Sequence, residues 1–376
     1  MMQFSRKCKG LKSLVLLTTI MIFCTRWLGA IYSYSLDYET SRTKAMGGAS
    51  IGLSNDYQAL FSNPAGLGWI NDKSYGIIQA EGEVNSDWQK VSNKLNELSS
   101  KDTPWDRSKN DQILNEISGK IGRVGFSNLA YYLGAANFGV GFLCQGLTDF
   151  EVVNPVTPKI RAFESLDSVL TGSIARPFRK NENLFSADAV GWWGGTMKFL
   201  SRRTADEQYF ARDFAGLSKS DMRNNEKGGA TLDFDAGTMW YLKSPWRSNL
   251  GLLVKNILES EIDPVVGKLR REWGLGVSIN PLEGPPGRNK KLTLAADYWY
   301  DNPDSSVFSR FRFGGEAQVN RWLVLRAGIR GGYLSGGFGA DFKTVKLDFS
   351  TYSEEIGIRP GDKEDRRYTL GLGVEF

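Results

Sequence analysis

Arg366–Phe376, RRYTLGLGVEF, is the stretch that decides the fold. Tyr368, Leu370, Leu372, Val374 and Phe376 fall on one side of an extended chain; Arg367, Thr369, Gly371, Gly373 and Glu375 fall on the other. Successive side chains of a strand point to opposite faces, so this alternation describes a strand with one greasy face and one small or polar face. The same period recurs upstream. Phe311, Phe313, Gly315, Ala317 and Val319 alternate with Arg310, Arg312, Gly314, Glu316 and Gln318, and Leu292, Leu294, Ala296, Tyr298 and Tyr300 with Thr293, Ala295, Asp297 and Trp299. Trp273, Leu275, Val277 and Ile279 do so with Glu272, Gly274, Gly276 and Ser278.

About fourteen such runs follow one another, most of them ~9–12 residues, the length a tilted strand needs to cross a bilayer. They fall at 73–83, 124–135, 138–150, 162–176, 188–203, 229–242, 248–256, 270–280, 291–301, 308–320, 322–330, 332–341, 343–350 and 366–376. Connections alternate as a barrel ending on its inner side requires. Those at Lys343, Asn320-Arg321, Lys243 to Ser248 and Ala136-Asn137 are short, while 351–365, 301–307, 257–269, 204–228, 151–161 and 84–123 are longer. Gly331-Gly332 and Leu282 to Lys290 are the exceptions.

A closed barrel is the β architecture that can face lipid, because an open edge leaves backbone groups unsatisfied. The expected fold is therefore all-β: a 14-stranded antiparallel transmembrane β-barrel spanning 71–376, in the cell outer membrane with outer-membrane lipid around it. Its outward set is Leu, Val, Phe and Tyr. Its inward set is Asp233, Asp235, Glu272, Asp297, Arg310, Arg312, Glu316, Arg326, Arg330, Asp341, Lys346, Asp348 and Arg367. Both signs in one lumen point to bridges that hold a plug. A barrel this wide needs an occupant, or it is an open pore. Tyr131, Tyr132, Trp192, Trp193, Trp240, Tyr241, Trp299 and Tyr300 cluster where strands would meet the interface, and adjacent aromatics send half of them inward.

The occupant is expected from Ala45–Leu67, AMGGASIGLSNDYQALFSNPAGL, within a hatch at 31–70. Its small residues let backbone approach backbone. A short turn capped by Asn55 or Asp56 carries Tyr57, Leu60 and Phe61 on its apolar side, and Asn63-Pro64 breaks it. Residues 84–123 differ from their surroundings. Trp88, Val91, Leu95 and Leu98 mark one helical face and Ile113, Leu114, Ile117 and Ile121 another, with Pro104 between, which predicts a helical hairpin folded over the outer rim.

Residues 1–30 read as a secretory signal: a basic start at Arg6, Lys7, Lys9 and Lys12, an apolar run Leu14 to Cys24, and small residues at Gly29-Ala30. The chain carries 47 basic and 42 acidic residues; losing the five basic residues of the signal (the four above and Arg26) leaves 42 of each. A neutral mature chain lacks the basic surplus of a nucleic-acid binder. Of three cysteines only Cys144 lies beyond the signal, and there is no histidine. That excludes Ser-His and Cys-His catalysis, so neither enzyme activity nor a metal or cofactor is expected.

Gly47-Gly48-Ala49, Ser54-Asn55-Asp56 and Asn63-Pro64-Ala65-Gly66-Leu67 resemble the N-terminal hatch of the FadL family of outer-membrane transporters for hydrophobic compounds, and equally of the related PorV/PorQ-type and UPF0164 proteins. Gly315-Glu316 through Trp322, Leu325-Arg326-Ala327-Gly328 and Gly336-Gly337-Phe338-Gly339 are similar to the last strands of that superfamily, and Val254-Lys255-Asn256 to its recurring strand end. The resemblance implies a plugged fourteen-strand channel for hydrophobic small molecules such as long-chain fatty acids. Gly47, Gly48, Asn63, Pro64, Ala65 and Gly66 would form the hatch, and Tyr32, Tyr34 and Leu36 would lie near the pocket. Arg326 or Arg330 would meet a carboxylate head group, and Gly139 and Gly141 would loosen the third strand into a sideways exit. The PorV-type relatives imply the alternative, a barrel that supports secretion by binding exported proteins.

Overall fold

The computed structural model describes residues 38–70, 72–99, 107–134, 136–153, 159–178, 189–210, 225–264, 266–282, 292–300, 307–357 and 361–376. The expected signal 1–30, Tyr32, Tyr34, Leu36 and Pro104 lie outside them. Fourteen strands close a barrel in which each pairs antiparallel with its neighbour in sequence and the last pairs with the first. They are β1 (Ser74–Asn85), β2 (Ile121–Gly134), β3 (Phe138–Val152), β4 (Lys159–Pro177), β5 (Val190–Phe210), β6 (Lys227–Leu242) and β7 (Ser248–Lys255). β8 (Glu272–Ile279), β9 (Leu292–Tyr300), β10 (Phe311–Gln318), β11 (Leu323–Arg330), β12 (Tyr333–Asp341), β13 (Val345–Glu355) and β14 (Glu364–Glu375) complete it. Each expected run overlaps one of these strands.

The terminal residue helps to shut the seam. The Tyr75 amide donates to the Phe376 carbonyl at 3.0 Å, the Phe376 amide to the Tyr75 carbonyl at 2.9 Å, and the two rings stack at 5.4 Å. Two-residue pleating then sorts the side chains. Val140, Leu170, Phe199, Leu232, Leu252, Leu275, Leu294, Phe313, Leu325, Leu347 and Leu370 are exposed on the outward face. Opposite-parity residues such as Asp167, Asp235, Asp297, Arg312 and Arg367 are buried in the lumen. An exterior this apolar is a lipid-facing one. Among the described residues no helix is long and apolar enough to cross a membrane; the strands do so.

The wall is lopsided. β4 has 19 residues and β5 has 21, whereas β7, β8, β10 and β11 have 8 each. At ~3.3 Å per residue β5 is about 70 Å long and β7 about 26 Å, against a hydrocarbon core of about 30 Å. One side of the barrel therefore rises well above the membrane.

Helices α1 (Trp88–Ser99) and α2 (Arg107–Ile117) pack against that rise. Val91, Leu95 and Leu98 of one and Ile113, Leu114 and Ile117 of the other are buried with Val152 and Ile160, with Phe150 alongside. A Cβ on Gly122 would touch Val91 at 2.8 Å. Gly122 and Phe150 are paired and alternate with the inward Arg123–Asp149 pair. The hairpin thus leans on the outside of the raised wall instead of folding over the rim. Above the lipid, outward apolar residues need protein to cover them. Ile121 starts β2 and does not complete the second helix. Lys94 holds the two helices together, 3.1 Å from Glu97 and 3.1 Å from Glu116, and its pKa is raised by these two hydrogen bonds.

Candidate functional site: a clamped plug and an apolar lumen wall

Residues 38–70 fill the lumen. A short helix, α3 (Ser41–Ala45), is capped by Thr40, whose side chain accepts from the Thr43 amide. A glycine turn follows, then 3-10 turns at Tyr57–Leu60 and Pro64–Trp69. Asp56 caps the first turn, its Oδ1 accepting from the Gln58 amide at 2.9 Å. Asn63 caps the second and Pro64 occupies its first turn, where a missing N–H costs nothing.

The plug meets the wall backbone to backbone. Gly47 has φ +64°, and a Cβ on it would lie 2.6 Å from the carbonyl oxygens of Ile329 and Phe313. Gly48 has φ +84° and faces the Arg312 side chain. A Cβ on Gly66 would fall 1.5 Å from the Ser54 carbonyl oxygen. The wall answers with glycines of its own. A Cβ on Gly194 would reach Pro64 and Ala65 at 2.5 and 2.6 Å, on Gly237 the Asn63 Oδ1 at 2.1 Å, and on Gly328 the Gly47 amide nitrogen at 2.3 Å. Asn63 is fully buried: its Nδ2 donates to the carbonyls of Ile51 (3.3 Å) and Thr238 (3.0 Å), and its Oδ1 accepts from the Ala65 amide (3.2 Å).

Ion pairs and charged hydrogen bonds clamp the same segment to β9–β11 and β1. Glu39 bridges Arg312 (2.9 Å) and Arg330 (2.6 Å). Arg42 makes two 2.9 Å hydrogen bonds to Glu316 and one of 2.8 Å to Asp56. Lys44 lies 2.8 Å from Glu83, and Glu81 accepts from the Ser41 amide at 2.7 Å. Asp297 Oδ2 accepts from the Ser50 and Ile51 amides at 2.6 and 2.8 Å. Inward aromatics complete the grip: Tyr57 stacks on Tyr131 at 4.8 Å, and Trp69 meets Trp192 at 6.3 Å and Tyr241 at 5.8 Å.

These contacts alter two expectations. Arg326 and Arg330 are committed to protein carboxylates, Arg326 to Glu316 (2.8 Å) and Asp348 and Arg330 to Glu39, so they serve the clamp and not a cargo head group. Gly139 and Gly141 do not kink β3, which keeps continuous register with β2 and β4. They make room for Leu60, whose methyl carbons would lie 2.7 and 3.0 Å from added Cβ atoms. The register shift lies in β1, between Gly76 and Gln79.

The lumen wall opposite the clamp carries an apolar row between two wall ion pairs, Arg202–Asp167 and Lys198–Asp235. Leu129, Leu143, Val169 and Leu200 stand directly across from one another on β2, β3, β4 and β5, forming one buried row. Leu60 packs on the row from the plug, and Ile262 and Leu269 pack on it from the external connection 256–271. That connection carries a two-stranded ribbon, Glu261–Asp263 and Gly267–Lys268, seated in the mouth by β6. Asp233 accepts from the amides of Leu258 (3.1 Å) and Ser260 (3.0 Å), and Asp235 accepts from the Asn256 amide (2.8 Å). Glu39, Arg42, Lys44, Ile262 and Leu269 were not marked as site residues by sequence reasoning. The one available signal was the charge of residues 39–44 just before an otherwise small and apolar segment.

No protein-family model and no curated protein matches the chain. Solved structures do. A deltaS2S3 mutant of the monoaromatic hydrocarbon channel TodX matches with a TM-score of 0.51 at 10% identity, covering 91% of this chain and 99% of that one. The Ralstonia pickettii toluene transporter TbuX gives 0.48 at 10% identity, with 91% and 99% covered. A Pseudomonas aeruginosa FadL homologue gives 0.45 at 11% identity, with 93% and 98% covered. Closed lipid-facing barrels of this kind are outer-membrane structures. The chain is an outer-membrane barrel with the fold of that hydrocarbon channel, fourteen strands closed around their own leading segment.

Proposed function

We propose that the protein is a channel for hydrophobic small molecules, long-chain fatty acids among them, which enter the plugged barrel along the apolar side of its lumen. The observation that carries this reading is the buried row Leu129, Leu143, Val169 and Leu200, facing inward on the side of the lumen away from the ion pairs that hold the plug. A water-filled pore has a polar interior, and apolar residues there raise its cost without benefit. A solute that leaves water gains ~25 cal/mol for each Å² it buries against such a wall. The monoaromatic hydrocarbon channel with the same fold supports the reading.

The test is mass spectrometry of material co-purifying in mild detergent, with uptake into proteoliposomes measured for the same compounds. Bound apolar small molecules and protein-dependent uptake support a channel. One stoichiometric exported protein, with no apolar molecule and no uptake, refutes it and supports secretion assistance instead.

A further inference from the structure

Two small voids adjoin the apolar row and the plug. One, of about 20 Å³, is lined by Leu60, Phe61, Leu143 and Val169 on one side and by Lys255 and the Lys198–Asp235 ion pair on the other. The second, of about 10 Å³, is lined by Tyr38, Gln58, Phe61, Ser62, Lys255 and Trp299 among others. About one water fits in each, so neither admits an organic molecule as it stands. Phe61 and Lys255 line both voids. Lys255 lies over the Trp299 ring at 5.1 Å. Phe61 caps a 3-10 turn, is only partly buried, and touches Tyr38 edge-on at 5.1 Å.

The second void is also chemically unfinished. The Tyr38 hydroxyl and the Gln58 Nε2 are buried without a hydrogen-bond partner, although both residues are more than nine-tenths buried. Unmade buried hydrogen bonds are costly, and a bound water or a ligand group can complete them.

We propose that Phe61 is the stopper of a cargo site that forms when its ring swings aside and joins the two voids, and that the site takes compact aromatic molecules bearing a hydroxyl. The ring of the cargo replaces that of Phe61 against Leu143 and Val169, and its hydroxyl meets Tyr38 and Gln58. This rests on the channel reading and adds a size limit and a polar preference that the apolar row alone does not supply.

Full-length protein in mild detergent tests it, by displacement of the apolar dye N-phenyl-1-naphthylamine with toluene, benzyl alcohol or palmitate. Wild type is expected to prefer benzyl alcohol over toluene by about tenfold, the discrimination typical of one buried hydrogen bond, and Tyr38→Phe to erase that preference. Phe61→Ala should bind the two-ring dye at least tenfold more tightly and Phe61→Trp more weakly, since even one methylene of pocket room is worth 10–200-fold. Phe150→Ala, outside the lumen, should leave both measurements unchanged. Dye binding that ignores all substitutions at Phe61, or a benzyl alcohol preference that survives in Tyr38→Phe, overturns the stopper. Wild type and every variant failing to bind any apolar probe overturns the channel reading itself.

Discussion

Asn63→Ala tests whether the plug is held by its backbone fit to the wall. Removing this amide takes away the cap of the Pro64–Trp69 turn and strips the Ile51 and Thr238 carbonyls of a donor. A lost cap costs about 1 kcal/mol, and each buried carbonyl left alone about 1 kcal/mol or more. The plug should therefore lose about 3 kcal/mol, a shift of roughly a hundredfold toward the unseated state. The barrel ladder is untouched, so the variant should still migrate differently in gels with and without boiling. Trypsin reports on the plug, because Arg42 and Lys44 are held inside by ion pairs and become cleavable only when it leaves. Conductance in planar bilayers should rise in parallel.

Gly237 sharpens the test. Its added Cβ would fall 2.1 Å from the Asn63 Oδ1, so Gly237→Ala alone should overpack by about 1–3 kcal/mol. In the double variant that oxygen is gone, leaving the Leu252 carbonyl oxygen at 3.2 Å. The second substitution should then cost little, giving a coupling of 1 kcal/mol or more between the two sites. Additive effects, or trypsin and conductance unchanged in Asn63→Ala, would refute the fit.

Other outcomes follow from single contacts. Arg42→Ala leaves Glu316 with Arg326 and without its partner on the plug; a loss of about 3 kcal/mol is expected, read as plug proteolysis. Asp233→Ala removes the acceptor for the Leu258 and Ser260 amides, so trypsin should cut at Lys268 or Arg270 and apolar uptake should quicken while heat-modifiability stays. Leu95→Ala, buried in the external hairpin, should loosen the hairpin by 2–5 kcal/mol, visible as faster amide exchange in α1 and α2 with the barrel unaffected.

The strands were legible because lipid imposes a period-two code on every span. Leu370 and Leu372 point out and Gly371 and Gly373 point in whatever the neighbours are. The code fades where lipid ends. β5 continues seven residues past the expected end, to Phe210, and β13 five, to Glu355, where outward positions need no grease. The external hairpin was visible as two helical faces, but its docking side was not, because Phe150, Val152 and Ile160 became outward only once the register was known. The site was less legible than the fold. Arg326 and Arg330 announced themselves as inward cations, yet alternation cannot say whether the partner is a cargo or Glu316, Asp348 and Glu39. Gly139 and Gly141 showed close approach without showing what approaches, which is Leu60.

The lumen's asymmetry bears on how a plugged barrel passes anything. The charged contacts of the plug itself fall on β9–β11 and β1, where Glu39, Arg42, Lys44 and Asp297 tie it down, whereas Arg123–Asp149, Arg202–Asp167 and Lys198–Asp235 join wall strands to one another. Breaking buried pairs costs several kcal/mol each, so this side holds. On β2–β5 the plug offers Leu60 and Phe61 to a row of aliphatic side chains, and such contacts are non-directional. One apolar molecule can replace another there at little cost. Motion should then be confined to the side where apolar contacts hold the plug, with Phe61 and the Ile262–Leu269 connection yielding while the clamp stays shut. On the channel reading, cargo and stopper would exchange places against the same aliphatic row, so the barrel would admit grease without opening to water.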